Sequence, residues 1–110
     1  MNYEVEALQP FLKDLKRLSK RYPSLKKDME LLGASLSADP FQGVPLGKNL
    51  FKVRMAIGSK GKGKSGGARI ITFVKVMRKK VYLLDIYDKS EEASIPKKQL
   101  DILIKWVPSQ

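Results

Sequence analysis

The chain has 110 residues, 43% of them hydrophobic, with no cysteine, no histidine and a formal net charge of +11. That composition supports one domain, over 1–110, with a core of its own, and it excludes disulfides, thiolate metal sites and any mechanism built on an imidazole. No apolar run approaches the ~20 residues that span a bilayer, and the polar stretch Met1 to Leu8, with Glu4 and Glu6, lacks a secretory signal, so the expectation is a cytoplasmic protein with no membrane partner.

Tyr3-Glu4-Val5-Glu6-Ala7 alternates apolar and charged residues and predicts a short half-buried strand. Pro10 suits the first turn of a following helix, in which Phe11, Leu12, Leu15 and Leu18 form the apolar stripe and Lys13, Lys16, Arg17 and Lys20 take other faces. Tyr22-Pro23 ends it, and Ser24 is placed to cap a second helix whose stripe is Leu25, Met29, Leu32 and Leu36, running to about Ser37. Pro40, Gly43, Pro45 and Gly47 predict a loop over 39–48. From Leu50 to Ile57 the residues alternate, with Phe51, Val53, Met55 and Ile57 on one side and Lys52, Arg54 and Ala56 on the other. Ala68 to Val76 and Val81 to Tyr87 are apolar on both faces, as central strands are, and Met77 to Lys80 is short enough to join them as a hairpin. Ser94 is expected to cap a last helix with Pro96 in its first turn and Leu100, Leu103, Ile104 and Val107 on its apolar face. The expected class is α+β, a small, mainly antiparallel sheet with an N-terminal strand and helical hairpin packed on it and a helix at the C-terminus.

The charge is unevenly placed. No Asp or Glu occurs between Asp39 and Asp85, while that stretch carries Lys48, Lys52, Arg54, Lys60, Lys62, Lys64, Arg69, Lys75, Arg78, Lys79 and Lys80. The flanks hold as many cations as acids, so the whole +11 belongs to the middle. Charge so concentrated is the footprint of a polyanion-binding protein, and a phosphate backbone is its usual partner. Lys48, Lys60, Lys62, Lys64, Arg78, Lys79 and Lys80 are the candidate RNA contacts, with the loop from Gly58 to Gly67 read as a mobile, solvated hairpin tip that orders on RNA.

That loop also contains Gly58-Ser59-Lys60-Gly61-Lys62-Gly63-Lys64-Ser65, a letter-perfect nucleotide-binding P-loop. A P-loop works because it opens a helix whose N-terminal amides receive the phosphates. Here the β-rich run Arg69-Ile70-Ile71-Thr72-Phe73-Val74 follows, so the pattern is a coincidence of a Lys/Gly-rich hairpin loop.

On the strands, Lys52 and Arg54 share a face, Arg69 opens the next strand, and Lys89 follows the third beside Tyr87. A salt-bridged surface would intersperse signs, because like charges facing across strands repel. Cations gathered without acids suit one reaction that needs neither His nor metal, the attack of an RNA 2′-hydroxyl on its own phosphate. Arg and Lys stabilise the developing phosphorane charge, and a Lys or Tyr with a lowered pKa transfers the proton, with Lys52 and Tyr87 as candidates. Asp85 and Asp88 are the nearby acids, read as positioning Lys89 or closing the strand end. A plain RNA-binding sheet would display aromatics for base stacking, whereas Phe73 and Tyr82 are read as core.

Phe51-Lys52-Val53-Arg54, the basic glycine loop ending in Ser65-Gly66-Gly67-Ala68-Arg69-Ile70-Ile71, and Leu83-Leu84-Asp85-Ile86-Tyr87-Asp88-Lys89-Ser90-Glu91 together resemble the RelE/ParE toxin superfamily, and the long Lys/Gly loop resembles its HigB-type branch. The resemblance implies a RelE-like fold and the toxin of a type II toxin–antitoxin pair, a ribosome-dependent endoribonuclease cutting translated mRNA, in a bacterial cytoplasm. It implies a cognate antitoxin, the ribosome (rRNA) and mRNA as partners, and no cofactor or metal. By position, Lys52 and Arg54 match the family's basic pair, Arg69 its phosphate-holding arginine and Lys89 the basic residue that protonates the leaving group; Tyr87 lies near the family's C-terminal base without occupying its position. The alternative is a ParE-like member that poisons DNA gyrase without cutting RNA. Those members lack the basic set that this chain carries.

Overall fold

In a computed structural model that describes residues 2–109, the chain runs β1 (Glu4–Ala7), α1 (Gln9–Ser19), α2 (Leu25–Ala38), β2 (Val44–Gly47), β3 (Leu50–Met55), β4 (Ala68–Lys75), β5 (Lys80–Asp88) and α3 (Lys97–Ile104). The strands form one sheet in the order β1-β5-β4-β3-β2. β1 lies parallel to β5 and the other three pairs are antiparallel. The α+β class and the mainly antiparallel sheet are as the sequence predicts.

The two faces of the sheet bury two separate cores. One face receives the helical hairpin, where Phe11, Leu18, Leu25, Met29 and Leu36 pack on Val53, Met55, Ile57, Ile70, Leu83 and Ile86. The other is covered by α3, where Leu100 and Leu103 pack on Leu50, Ile71, Tyr82, Leu84 and Tyr87, with Phe73 at the margin. Burying both faces of β4 and β5 explains why those two strands read as apolar on both sides.

Three local expectations need correction. The predicted loop over 39–48 contains β2, a fifth strand. Pro45 has no amide to donate, which restricts it to an edge, and the pairing with β3 is irregular between Pro45 and Gly47. Lys48 and Asn49 then turn the chain with both residues left-handed, at φ 55° and 63°. Ser24 is the N-cap residue of α2 as expected, but its hydroxyl makes no bond to the α2 amides and donates instead to Asp28 Oδ2 at 2.8 Å. The last helix starts at Lys97, with Pro96 at its cap and Ser94 outside it.

β5 also changes phase along its length. Ile71 faces Asp85 while Thr72 faces Leu83, so Leu84 is an extra residue in β5. This bulge resets the alternation. Leu84 lies in the α3 core, Ile86 in the hairpin core, and Tyr87 again in the α3 core. Without it, Tyr87 and Asp88 would exchange faces.

Candidate nucleic-acid interface

Register places the strand cations. Arg54 pairs with Arg69, which pairs with Tyr87, and Lys52 pairs with Ile71. Directly opposed residues share a face, so Lys52, Arg54, Arg69 and Tyr87 belong to the α3 side of the sheet. At the β2 edge, Lys52, Arg54 and Lys64 line one cleft of about 260 Å³ together with Gln42, Gly43, Val44 and Val53. The lining has three cations and no carboxylate. Backbone closeness shapes it, since a side chain on Gly43 would meet the Lys52 carbonyl oxygen at 2.6 Å.

Arg69 lies behind this cleft rather than in it. It is 4% exposed, and its guanidinium donates to the carbonyls of Lys64 (2.9 Å), Ala68 (3.2 Å) and Ser65 (3.3 Å). Burial, reinforced by the facing Arg54, lowers its pKa from 12.5. The carbonyls offset the repulsion between two arginines facing across strands. The residue expected to hold a phosphate therefore holds the C-terminal end of the glycine-rich loop.

Tyr87 departs from expectation. Its cationic neighbour was expected to favour a tyrosinate, but burial dominates and raises the pKa, with Arg69 only partly opposing. The ring is 3% exposed and its hydroxyl has no hydrogen-bond partner among the described residues. Lys89 is half-buried, and its amide donates to the Gly67 carbonyl at 3.0 Å, which holds it beside the start of β4.

The predicted RNA-contact lysines divide. Lys62 and Lys64 are exposed on the β3–β4 loop. Lys60 is not part of a free tip. Its ammonium contacts Asp88 Oδ1 at 2.6 Å and the Ser90 hydroxyl at 3.1 Å, and lies over the Tyr22 ring. Lys48, Arg78 and Lys79 sit in the turns at the other end of the sheet. The six β4 residues beyond Arg69, Ile70 to Lys75, separate them from it, a span of roughly 20 Å at ~3.3 Å per residue. Lys80 faces β1, bonded to Glu6 at 2.9 Å and near Glu4 at 3.9 Å, so its charge is balanced locally. The acid-free stretch is two basic regions at opposite ends of a sheet.

Asp88 is the group that sequence reasoning placed least well. It is fully buried. It accepts from Lys60, from the Tyr22 hydroxyl, and from the Ser90 amide (3.0 Å) and hydroxyl (2.8 Å). Burial works to raise its pKa, but these hydrogen bonds outweigh burial and hold the carboxyl far below the usual range. The available signal was an acid closing a strand that is mostly apolar. The P-loop reading fails on geometry, since a single 3₁₀ turn (Gly58–Lys60) and then β4 follow, with no helix to receive a phosphate.

No protein-family model matches the chain. Among solved structures, a free-state mutant of the E. coli toxin RelE superposes with a TM-score of 0.65 at 13% identity, covering 98% of this chain and 100% of that one. A chain of the toxin–antitoxin complex RelBE2 from Mycobacterium tuberculosis aligns with a TM-score of 0.59 at 21% identity, over 80% of this chain and 92% of its own. At these identities the likeness is one of fold, and the fold is RelE-like. Among the described residues no helix is long and apolar enough to cross a membrane.

Proposed function

We propose that this chain is the toxin of a type II toxin–antitoxin pair and cleaves translated mRNA on the ribosome, in the HigB-type manner that its Lys/Gly loop resembles. The observation that carries the reading is the cleft of Lys52, Arg54 and Lys64, which meets a phosphate with cations alone. In the cleavage, the 2′-hydroxyl loses its proton and its oxygen bonds to the adjacent phosphorus. The bond from phosphorus to the 5′-oxygen breaks, leaving a cyclic phosphate and a 5′-hydroxyl that takes up a proton. Arg54 and Lys64 stabilise the charge that grows on the phosphoryl oxygens. Proton transfer falls to Lys52 and Lys89, since the buried Tyr87 hydroxyl does not reach a substrate. Arg69 supports the site by holding the loop carbonyls behind Lys64.

The antitoxin fits the same electrostatics. An acidic partner laid over the cleft would bind tightly and weaken with salt. The test is expression without a partner, followed by primer extension on mRNA from translating ribosomes. Growth arrest with codon-phased ends supports the reading. Growth arrest with intact mRNA and stalled gyrase–DNA complexes would replace it with the ParE-like alternative.

A further inference from the structure

The glycine-rich loop is held at its start by a built structure, not left as a free arm. The Gly58 amide donates to Asp28 Oδ2 at 2.9 Å and the Ser59 amide to the Ser24 hydroxyl at 2.8 Å. Both acceptors lie at the head of α2. Lys60 then reaches Asp88 with its ammonium over the Tyr22 ring. Only beyond Gly61, which is left-handed at φ 71°, do Lys62 and Lys64 stand exposed. At the far end Arg69 holds the Lys64 and Ser65 carbonyls. Asp88 also fixes the turn that follows β5, through the amide and hydroxyl of Ser90, and that turn contains Lys89.

We infer that Asp88 is a positioning residue of the basic site: a buried carboxylate that pins both the start of the glycine-rich loop and the Lys89 turn to the helical hairpin. This inference rests on the nucleic-acid reading above for its purpose, but the clamp is a property of the free protein. Lys60 is the clamp's cation and not an RNA contact, because its charge is already neutralised by a carboxylate in a water-poor site. Tying down the first part of the loop shortens the segment that must order when RNA binds, and it holds the Lys89 turn against the start of β4, where Arg69 holds the Lys64 carbonyl.

The test uses the full chain with Lys60→Met, Lys60→Arg, Asp88→Asn and the double variant Lys60→Met/Asp88→Asn, the last removing both charges in case a single change leaves the protein unfolded. Amide hydrogen exchange of the free protein should quicken about tenfold or more over the loop and the Ser90 turn in the Met and Asn variants. Lys60→Arg, which can still donate to Asp88, should keep the wild-type pattern. In binding to a short single-stranded RNA across a salt series, Lys62→Ala should reduce the slope of log affinity against log salt by about 0.7, the loss of one phosphate contact. Lys60→Met should leave that slope unchanged and weaken binding at every salt concentration. Unchanged exchange in both Lys60→Met and the double variant would overturn the clamp. So would a slope for Lys60→Met that falls as it does for Lys62→Ala. If the wild type binds no RNA, the functional reading is lost and exchange alone decides the clamp.

Discussion

Asp85→Asn should stabilise this protein, and by an amount that grows with pH. Beyond Leu83, where pairing with β1 ends, α1 packs along β5 and brings Asp14 to Asp85. The two carboxyls share a cavity of about 520 Å³ with Glu92, Lys13 and Gln99. Burial first, then the hydrogen bond and charge of Asp14, push the Asp85 pKa from 3.8 up to about 8. The folded state therefore holds a proton that the unfolded chain has released, so Asp85 contributes stability at low pH and withdraws it as pH rises through about 8. Each tenfold change in proton affinity is worth about 1.4 kcal/mol. Because the carboxyl is half-buried beside an open cavity, solvent screening reduces the realised effect to about 1–2 kcal/mol. An Asn hydrogen-bonds with Asp14 and never ionises. Urea unfolding of both proteins from about pH 4 to about pH 9 should show equal stability at the acid end and the full advantage of the variant at the alkaline end. Asp88 does not confuse the comparison. Its depressed pKa supplies stability present above about 3.8 and lost in acid, equally in both proteins. An advantage that is constant with pH, or largest in acid, would refute the shared-proton geometry.

Three further outcomes test the site and the sheet. Arg54→Ala should lower ribosome-dependent cleavage by about two to three orders of magnitude with stability unchanged, since Arg54 is exposed in the cleft; wild-type cleavage rates would move the chemistry elsewhere. Tyr87→Phe should retain cleavage and melt at the wild-type temperature or slightly above, because it removes a buried hydroxyl that has no partner among the described residues; a loss of activity like that of Arg54→Ala would restore Tyr87 to the chemistry. Gly67→Ala should cost at least about 1–3 kcal/mol in denaturant unfolding, because the added carbon would lie 2.1 Å from the Met55 carbonyl oxygen and force β3 from β4; an unchanged midpoint would refute that spacing.

What could be read from the sequence followed periodicity. The helical stripes, the alternation of β3 and the doubly apolar β4 and β5 all rest on local spacing, and the elements lie close to where their patterns put them, although Leu12 of the α1 stripe is exposed and α3 begins later than its pattern suggests. What could not be read depends on partners distant along the chain. Val44 to Gly47 has the composition of a turn, and only the waiting edge of β3 makes it a strand. The β5 bulge leaves no mark in Leu84-Asp85, yet it sets the face of every residue after it. Register turns Tyr87 under α3 and brings Asp88 beneath Tyr22 and Lys60, sixty-six and twenty-eight residues away in sequence.

The same distinction divides the cations. A count of charge treats Lys60 and Lys62 as equivalent, two residues apart on one loop. The fold gives one of them a buried carboxylate and leaves the other in water. A cation already satisfied within the protein gains little from a phosphate, since binding would have to break a desolvated pair. An exposed lysine gives up only its hydration and a condensed counterion. A polyanion bound at the proposed site would therefore meet fewer cations than the +11 suggests. On the cleft side these are Lys52, Arg54, Lys62 and Lys64, with Lys89 beside the start of β4 and with Arg69, Lys60 and Asp88 shaping the ground on which they stand.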